Sequence, residues 1–317
     1  MDNLITSINI SFPLIFLLAL GKLLHWLGLI DERFIRTATG LVFNVCFPCS
    51  IFSNFLGMEL SAVLNARMLL FQLAAIAVSM LLPTLLVPIF VRNRRIAASM
   101  AQAMFRTNVL IQGIPLMTAA YGSANIASAL CMLPFLILLN NVLATLIFVL
   151  LIPDDGQDRS SPVLASLKKM AVNPLILACA AGLIFSLLHL RLPAALAAPV
   201  SQLGAVASPL ALLCMGAELH PDTVRFNLRY TLPTALVRLV LLPGIITFAA
   251  YCFGFRGSEL GCLFLFNATC SAASGYIMAG QLGGDTDIAA QSVALTAMLS
   301  SLTLTAGIFI LLELGFM

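Results

Sequence analysis

The stretch "FRTNVLIQGIPLMTAAYG", Phe105–Gly122, decides how the chain is read. It is apolar enough to lie in a membrane, yet it holds an arginine, an asparagine, a glutamine and a Gly-x-Pro break. Its surroundings say which solvent it meets. Of the 317 residues, 61% are hydrophobic and 9% charged, against roughly 25% charged in soluble domains, and the mean hydropathy is +1.06. Runs of about twenty apolar residues match the ~20 that a helix needs to cross a ~30 Å hydrocarbon core, and weak period-two alternation argues against a β-barrel. The expected class is an all-α polytopic membrane protein.

Working outward, hydropathy and punctuation place ten transmembrane helices near 3–24, 37–55, 68–91, 97–121, 126–152, 172–190, 197–219, 231–253, 260–282 and 288–314. The first lacks a basic leader region and a small-residue cleavage site, so it is read as a retained span. The most polar stretch, "PDDGQDRSSP", divides the chain into a first five-helix repeat at 1–152, a cytoplasmic linker at 153–171 and a second five-helix repeat at 172–317. Sliding the sequence against itself by 161 positions superposes Pro13 on Pro174, Gly21 on Gly182, Pro48 on Pro209, Gly122 on Gly283 and Phe148 on Phe309. One ungapped shift that aligns prolines and glycines in separate spans is the mark of an internal repeat. Because each half has an odd number of spans, the second enters the bilayer upside down, giving two inverted repeats.

Loop charge tests that topology separately. One side collects Lys22, Arg33, Arg36, Arg92, Arg94, Arg95, Arg159, Lys168, Lys169, Arg225 and Arg229, and the other only Arg67, Arg191 and Arg256. The positive-inside rule makes the first side cytoplasmic, so both termini face the periplasm or the extracellular side. The net charge of +3 is scattered among short loops, which excludes a nucleic-acid surface. Eight cysteines fall within spans; Cys46 and Cys49 share a helix face, but no second pair or nearby histidine completes a metal site, and no cofactor is expected. His25, His189 and His220 lie near span ends, where they are expected to serve as interfacial anchors.

In the fourth span, entered near Ala97, Arg106 to Pro115 lie ~14 to 27 Å along the helix at 1.5 Å per residue, near mid-membrane. Pro115 removes a backbone donor and Gly113 lets the chain unwind. Such backbone is tolerated at depth only where protein or a water-lined cavity surrounds it. The inverted partner is the ninth span, "FNATCSAASGYIMAGQLGGD", in which Thr269 falls opposite Asn108 and Ser274 opposite Gly113. Paired broken helices place substrate at the midplane in secondary transporters, with half-helix N-termini pointing at an anionic group. Arg106 adds a full charge, and no Asp or Glu lies in the central part of any span, so an anion is the favoured cargo. Arg106 has a second reading, in which it bonds carbonyls freed by the break. Arg238, a third of the way into the eighth span, is expected to snorkel toward the cytoplasm. Asn44, four residues before Pro48, either bridges an unwound turn or lines the cavity, and Asn140 and Asn141 are expected to bond between helices.

These residues resemble the auxin efflux carrier superfamily, whose bacterial members are often described as malonate, malate or other organic-acid permeases. The matching pieces are "GKLLHWLGLI", "LVFNVCFPCSIFSNF", the opening stretch, "SPLALLCMGAEL", "RLVLLPGI" and "SAASGYIMAGQLGGDTDIAAQSVALTAMLSSLTL", nearly the full length. The resemblance implies a ten-helix fold related to sodium/proton antiporters and bile-acid transporters, with a scaffold and a transport domain and with helices four and nine crossing at their breaks. By position, Pro115 matches the crossover proline and Asn108 the asparagine before it. Cys270 stands where the family usually has proline, so the ninth-helix crossover is expected either to be gentler or to rest on Ser271, Ser274 and Gly275 instead.

The leading expectation is a secondary carrier of a small organic anion across the bacterial inner membrane by an elevator-like alternating access. Its expected binding residues are Asn108, Arg106, Gln112, Gly113, Pro115, Thr269, Ser271, Ser274 and Asn44. The partners are that anion and the lipid bilayer, with a homodimer left open. The rivals are an anion channel and a membrane ligand sensor. An intramembrane enzyme lacks its motifs: there is no buried carboxylate pair, His-Glu-x-x-His or Ser/His arrangement.

Overall fold

The computed structural model describes residues 2–56, 65–152, 174–188, 190, 192–217, 227–272 and 274–317; the linker expected at 153–171 lies outside them, as do His189, Arg191, His220 and Arg225. Among the described residues the chain is helical, with one isolated backbone bridge. In order come α1 (Asp2–Trp26), α2 (Glu32–Leu41), α3 (Phe47–Phe55), α4 (Ala66–Phe90), α5 (Arg94–Phe105), α6 (Ile114–Asn125) and α7 (Ala127–Leu151). Then follow α8 (Pro174–Leu187), α9 (Ala194–Ala217), α10 (Leu228–Leu236), α11 (Leu242–Cys252), α12 (Gly257–Ala268), α13 (Ser274–Gln281) and α14 (Thr286–Glu313). Among the described residues, five continuous helical stretches are long and apolar enough to cross a membrane, or six with the bent α7. Large apolar side chains such as Leu85, Phe90, Phe248 and Leu302 point outward, as a hydrocarbon solvent permits.

Among the described residues three π turns interrupt otherwise α-helical paths: Val42–Cys46 between α2 and α3, Val109–Gly113 before α6, and Val237–Leu241 between α10 and α11. Each ends two residues before a proline, namely Pro48, Pro115 and Pro243. Proline has no N–H and its ring clashes with the carbonyl four residues back. Those carbonyls belong to Asn44, Ile111 and Leu239, each in the middle of a π turn, where the wider coil makes room. Proline then occupies the first turn of the next helix, where its missing donor is not needed.

The helices pack in two sets, which also meet directly where α1 lies against α14 and α6. In the first, α9 packs against α1, α2 and α3, and α3 against α8. Small residues let these backbones touch: a Cβ on Gly21 would stand 2.0 Å from the Leu213 carbonyl oxygen, and one on Gly216 would stand 2.1 Å from that of Leu18. Close approach of this kind drives helix association where lipid removes the hydrophobic gain. The second set holds α4 to α7 and α10 to α14, with α5 at its centre against α4, α7, α10, α13 and α14. A single apolar core joins the two sets, containing the buried Phe47, Phe105, Met132, Phe148 and Phe266. Asn108 and the π turn before α6 lie where the sets meet, beside Met215 of α9.

Candidate functional site

Two helices stop inside the second set. The fourth expected span breaks at Arg106–Asn108, seven residues ahead of Pro115, because Arg106 is extended (ψ 117°) and Asn108 leaves the helical region (φ −102°, ψ 55°). The sequence placed the unwinding at Gly113; there the chain instead makes its π turn. The ninth span breaks after Ala268, where Thr269 is extended. The two breaks pair with each other. Thr107 and Ser271 form an antiparallel bridge, Asn108 N–H donates to the Cys270 carbonyl at 3.0 Å, and Ala272 N–H donates to that of Arg106 at 3.3 Å.

The carbonyls left open at both helix ends are taken up by Arg238. Its Nε donates to the Thr269 carbonyl at 3.0 Å, Nη1 to those of Met104 and Phe105 at 3.4 and 3.5 Å, and Nη2 to that of Asn267. Ser271 Oγ donates to the Ala103 carbonyl at 2.5 Å, and Arg106 N–H to that of Gln102. The last four carbonyls of α5 are thus all satisfied, as burial requires. Arg238 is 1% exposed. It does not snorkel: the π turn that carries it faces the crossing.

The sequence-derived candidates fall into three groups. Thr269, Ser271 and Gln112 are buried and committed to the scaffold. Thr269 Oγ1 accepts from Asn108 N–H at 3.0 Å, and Ser271 N–H donates to Thr296 Oγ1 at 3.1 Å. Gln112 accepts from Cys270 N–H at 2.8 Å while donating to Ser300 Oγ at 3.0 Å. This explains how cysteine replaces the expected proline, since here the residue's N–H is in use. Gly113 lies against Val109 and Thr269, 3.5 Å from a methyl of the latter by its missing Cβ. Pro115 sits in the first turn of α6.

Arg106 and Asn108 form the second group, 7% and 6% exposed. Arg106 Nη2 donates to Asn141 Oδ1 on α7 at 2.7 Å, and Nη1 rests against Met278 Sδ. Among the described residues Asn108 Nδ2 meets only sulfur, Cys270 Sγ at 3.5 Å and Met215 Sδ at 3.8 Å, and sulfur is a weak acceptor. Ser274 and Asn44 form the third group and are exposed. Ser274 opens α13, whereas Asn44 Nδ2 donates to the Gly40 carbonyl of its own helical path at 2.8 Å, bridging the turn ahead of Pro48. Asn141 bonds between helices through Oδ1, while Asn140 Nδ2 returns to the Leu136 carbonyl of α7.

Sequence reasoning missed the keystone role of Arg238 and the orphaned polar atoms around the crossing. Gln102 Nε2 on α5, Asn140 Oδ1 on α7, and Gln291 Oε1 and Ser292 Oγ on α14 are buried without a hydrogen-bond partner among the described residues. They lie on α5 itself and on two helices, α7 and α14, that pack against it. Buried polar atoms of this kind are uncommon enough to require a reason.

A multi-pass helical membrane protein with a buried crossing of two interrupted helices is the class these features define. The family model described as "Membrane transport protein" matches residues 7–308, and the chain belongs to that family, the auxin efflux carrier family of membrane transporters. A search of curated proteins finds no match.

Proposed function

We propose that the protein is a secondary carrier for a small organic anion, with the crossing as its docking site. The observation that carries this reading is the charge around the crossing. Among the described residues the buried charged side chains are Arg106 and Arg238, and no buried aspartate or glutamate offsets them. Each helix end carries about half an elementary charge, so the C-terminal ends of α5 and α12 together supply about −1, which Arg238 cancels. The N-terminal ends leading into α6 and α13 contribute about +1, and Arg106 adds another. That surplus favours a carboxylate. Asn108, whose amide touches only sulfur, gains a stronger acceptor when one arrives.

Further features support an inverted ten-span plan with halves 1–152 and 172–317. Gly122 and Gly283, 161 positions apart, both adopt left-handed φ, 74° and 76°, and the breaks at 106–108 and 269 onward fall at nearly the same offset. The asymmetry of loop charge supports cytoplasmic placement of the linker in a bacterial inner membrane. Burial of the crossing residues suits a site reached alternately from two sides better than an open pore, and rocking of the second helix set against the first supplies the motion. Expelling one net negative charge from a negative interior gains ~2.3 kcal/mol per 100 mV, so export runs without a coupled ion.

Counterflow of labelled carboxylic acids in proteoliposomes tests this. Saturable exchange that is lost in Asn108→Ala, with membrane insertion retained, is the expected result. Arg106→Gln should abolish exchange of anionic cargo. Ohmic, non-saturating current, or unchanged saturation kinetics in Asn108→Ala, refutes the docking site.

A further inference from the structure

Away from the crossing, α4 and α11 leave a groove of about 450 Å³ on the outer surface of the second helix set. Its walls are apolar, formed by Leu70, Ala74 and Val78 on one side and Ile245 and Ala249 on the other, and Arg67 stands at its mouth. Arg67 is the second residue of α4, and Phe253 follows the last residue of α11, so the mouth lies at the end of two spans. That is the depth of lipid headgroups. Arg67 and Val78 are eleven residues apart on one helix, about 16 Å, which matches the ~15 Å of hydrocarbon in one leaflet.

The arginine is held in place. Nη2 donates to the Phe253 carbonyl, and the guanidinium lies over the Phe255 ring, 4.8 Å from its centroid. Gly254, at φ +86°, turns the loop so that the guanidinium fits against it; a Cβ there would come within 3.3 Å of Nη2. Fixed by one carbonyl and one ring, Arg67 keeps its other N–H groups without a partner in the described residues. The neighbouring acid, Glu259, is taken by Asn65 Nδ2 at 2.5 Å. A pinned cation above a leaflet-deep apolar groove has the charge and shape of a phospholipid site.

We propose that this groove holds one acyl chain of an anionic phospholipid, with the lipid phosphate on Arg67. The purified full-length chain, stripped of lipid in mild detergent, is titrated with phosphatidylglycerol, phosphatidylcholine or inorganic phosphate, and retention is read by native mass spectrometry and by apparent Tm. Phosphatidylglycerol should bind and raise the Tm, and Arg67→Gln should weaken that binding about fivefold, the worth of one basic residue at a charged membrane surface. Ala249→Trp, which fills the groove and leaves Arg67 untouched, should abolish lipid retention altogether. Equal binding of both lipids overturns the headgroup assignment. An equal Tm rise with inorganic phosphate alone overturns the lipid assignment, and unchanged retention in Ala249→Trp overturns the groove.

Discussion

Replacing Arg238 with methionine removes the donor set that satisfies four carbonyls at the ends of α5 and α12 while keeping most of the side chain's bulk. The cost follows from the hydrogen bonds. Two of the four, to Thr269 and Asn267, are well within ordinary hydrogen-bond reach, and the two to Met104 and Phe105, at 3.4 and 3.5 Å, are weak. A buried acceptor left unsatisfied costs about 1–3 kcal/mol, so the two closer bonds alone put the loss at about 2–6 kcal/mol. At about 2–4 °C per kcal/mol for domains of 150–250 residues, the apparent Tm in detergent should fall by roughly 5–20 °C. Arg238→Lys keeps the charge but lacks the planar fork that reaches two helix ends at once, so it should recover only part of the loss. The assay is thermal unfolding of purified protein, followed by tryptophan-independent thiol labelling of the buried cysteines. A methionine variant that melts with the wild type would refute the keystone role, and with it the cancellation of charge on which the anion reading depends.

Other substitutions probe separate links. Cys270→Pro deletes the N–H that Gln112 accepts from, and should lower stability by about 1–3 kcal/mol, whereas Cys270→Ala keeps that bond and should lose less; equal thermal shifts would show that the bond contributes nothing. Gly216→Val puts side-chain atoms against the Leu18 carbonyl, where even a Cβ has only 2.1 Å. It should cost at least the ~1–3 kcal/mol of ordinary overpacking, measured as reduced folded yield in the membrane. Gly122→Ala meets no neighbour within 4 Å, yet its φ of 74° and ψ of 158° suit glycine alone. The expected penalty is about 1–3 kcal/mol of backbone strain, read from the Tm.

Much of this architecture was visible in Phe105–Gly122 because the signals there are local. Polar residues within an apolar run and a Gly-x-Pro pair report on their own helix, and Thr269 emerged from sliding the sequence against itself by 161 positions. What stayed hidden depends on contacts distant in sequence. Arg238 reaches carbonyls 29 to 134 residues away, and Gln112 is committed to partners 158 and 188 residues away. Read on one helix, Arg238 had only the membrane surface as an outlet for its charge. Its five-residue spacing from Pro243 was the available clue, because a proline-induced π turn rotates the residues before it. The same spacing logic would have placed the widened turn ahead of Pro115 and left the true break to the pairing of two chains.

Hydrogen-bond capacity separates the residues that hold the crossing from those that can bind cargo. Thr269, Ser271 and Gln112 spend their polar atoms on the opposite break or on α14, so a ligand gains from them only by breaking the scaffold. Arg238 spends four of its five N–H groups in the same way. Arg106 has a neutral amide and a thioether as partners, and Asn108 Nδ2 has two sulfurs; exchanging these for a carboxylate replaces weak bonds by charge-assisted ones, roughly twice as strong as neutral bonds. Substitution should therefore split the site in two. Changes at Gln112, Thr269 and Arg238 should show first in stability, while changes at Asn108 and Arg106 should show first in substrate affinity, with little movement of Tm in the absence of ligand. A Gln112→Ala variant that kept its Tm but lost transport would reverse the assignment and move the docking point one turn deeper, onto the π turn itself.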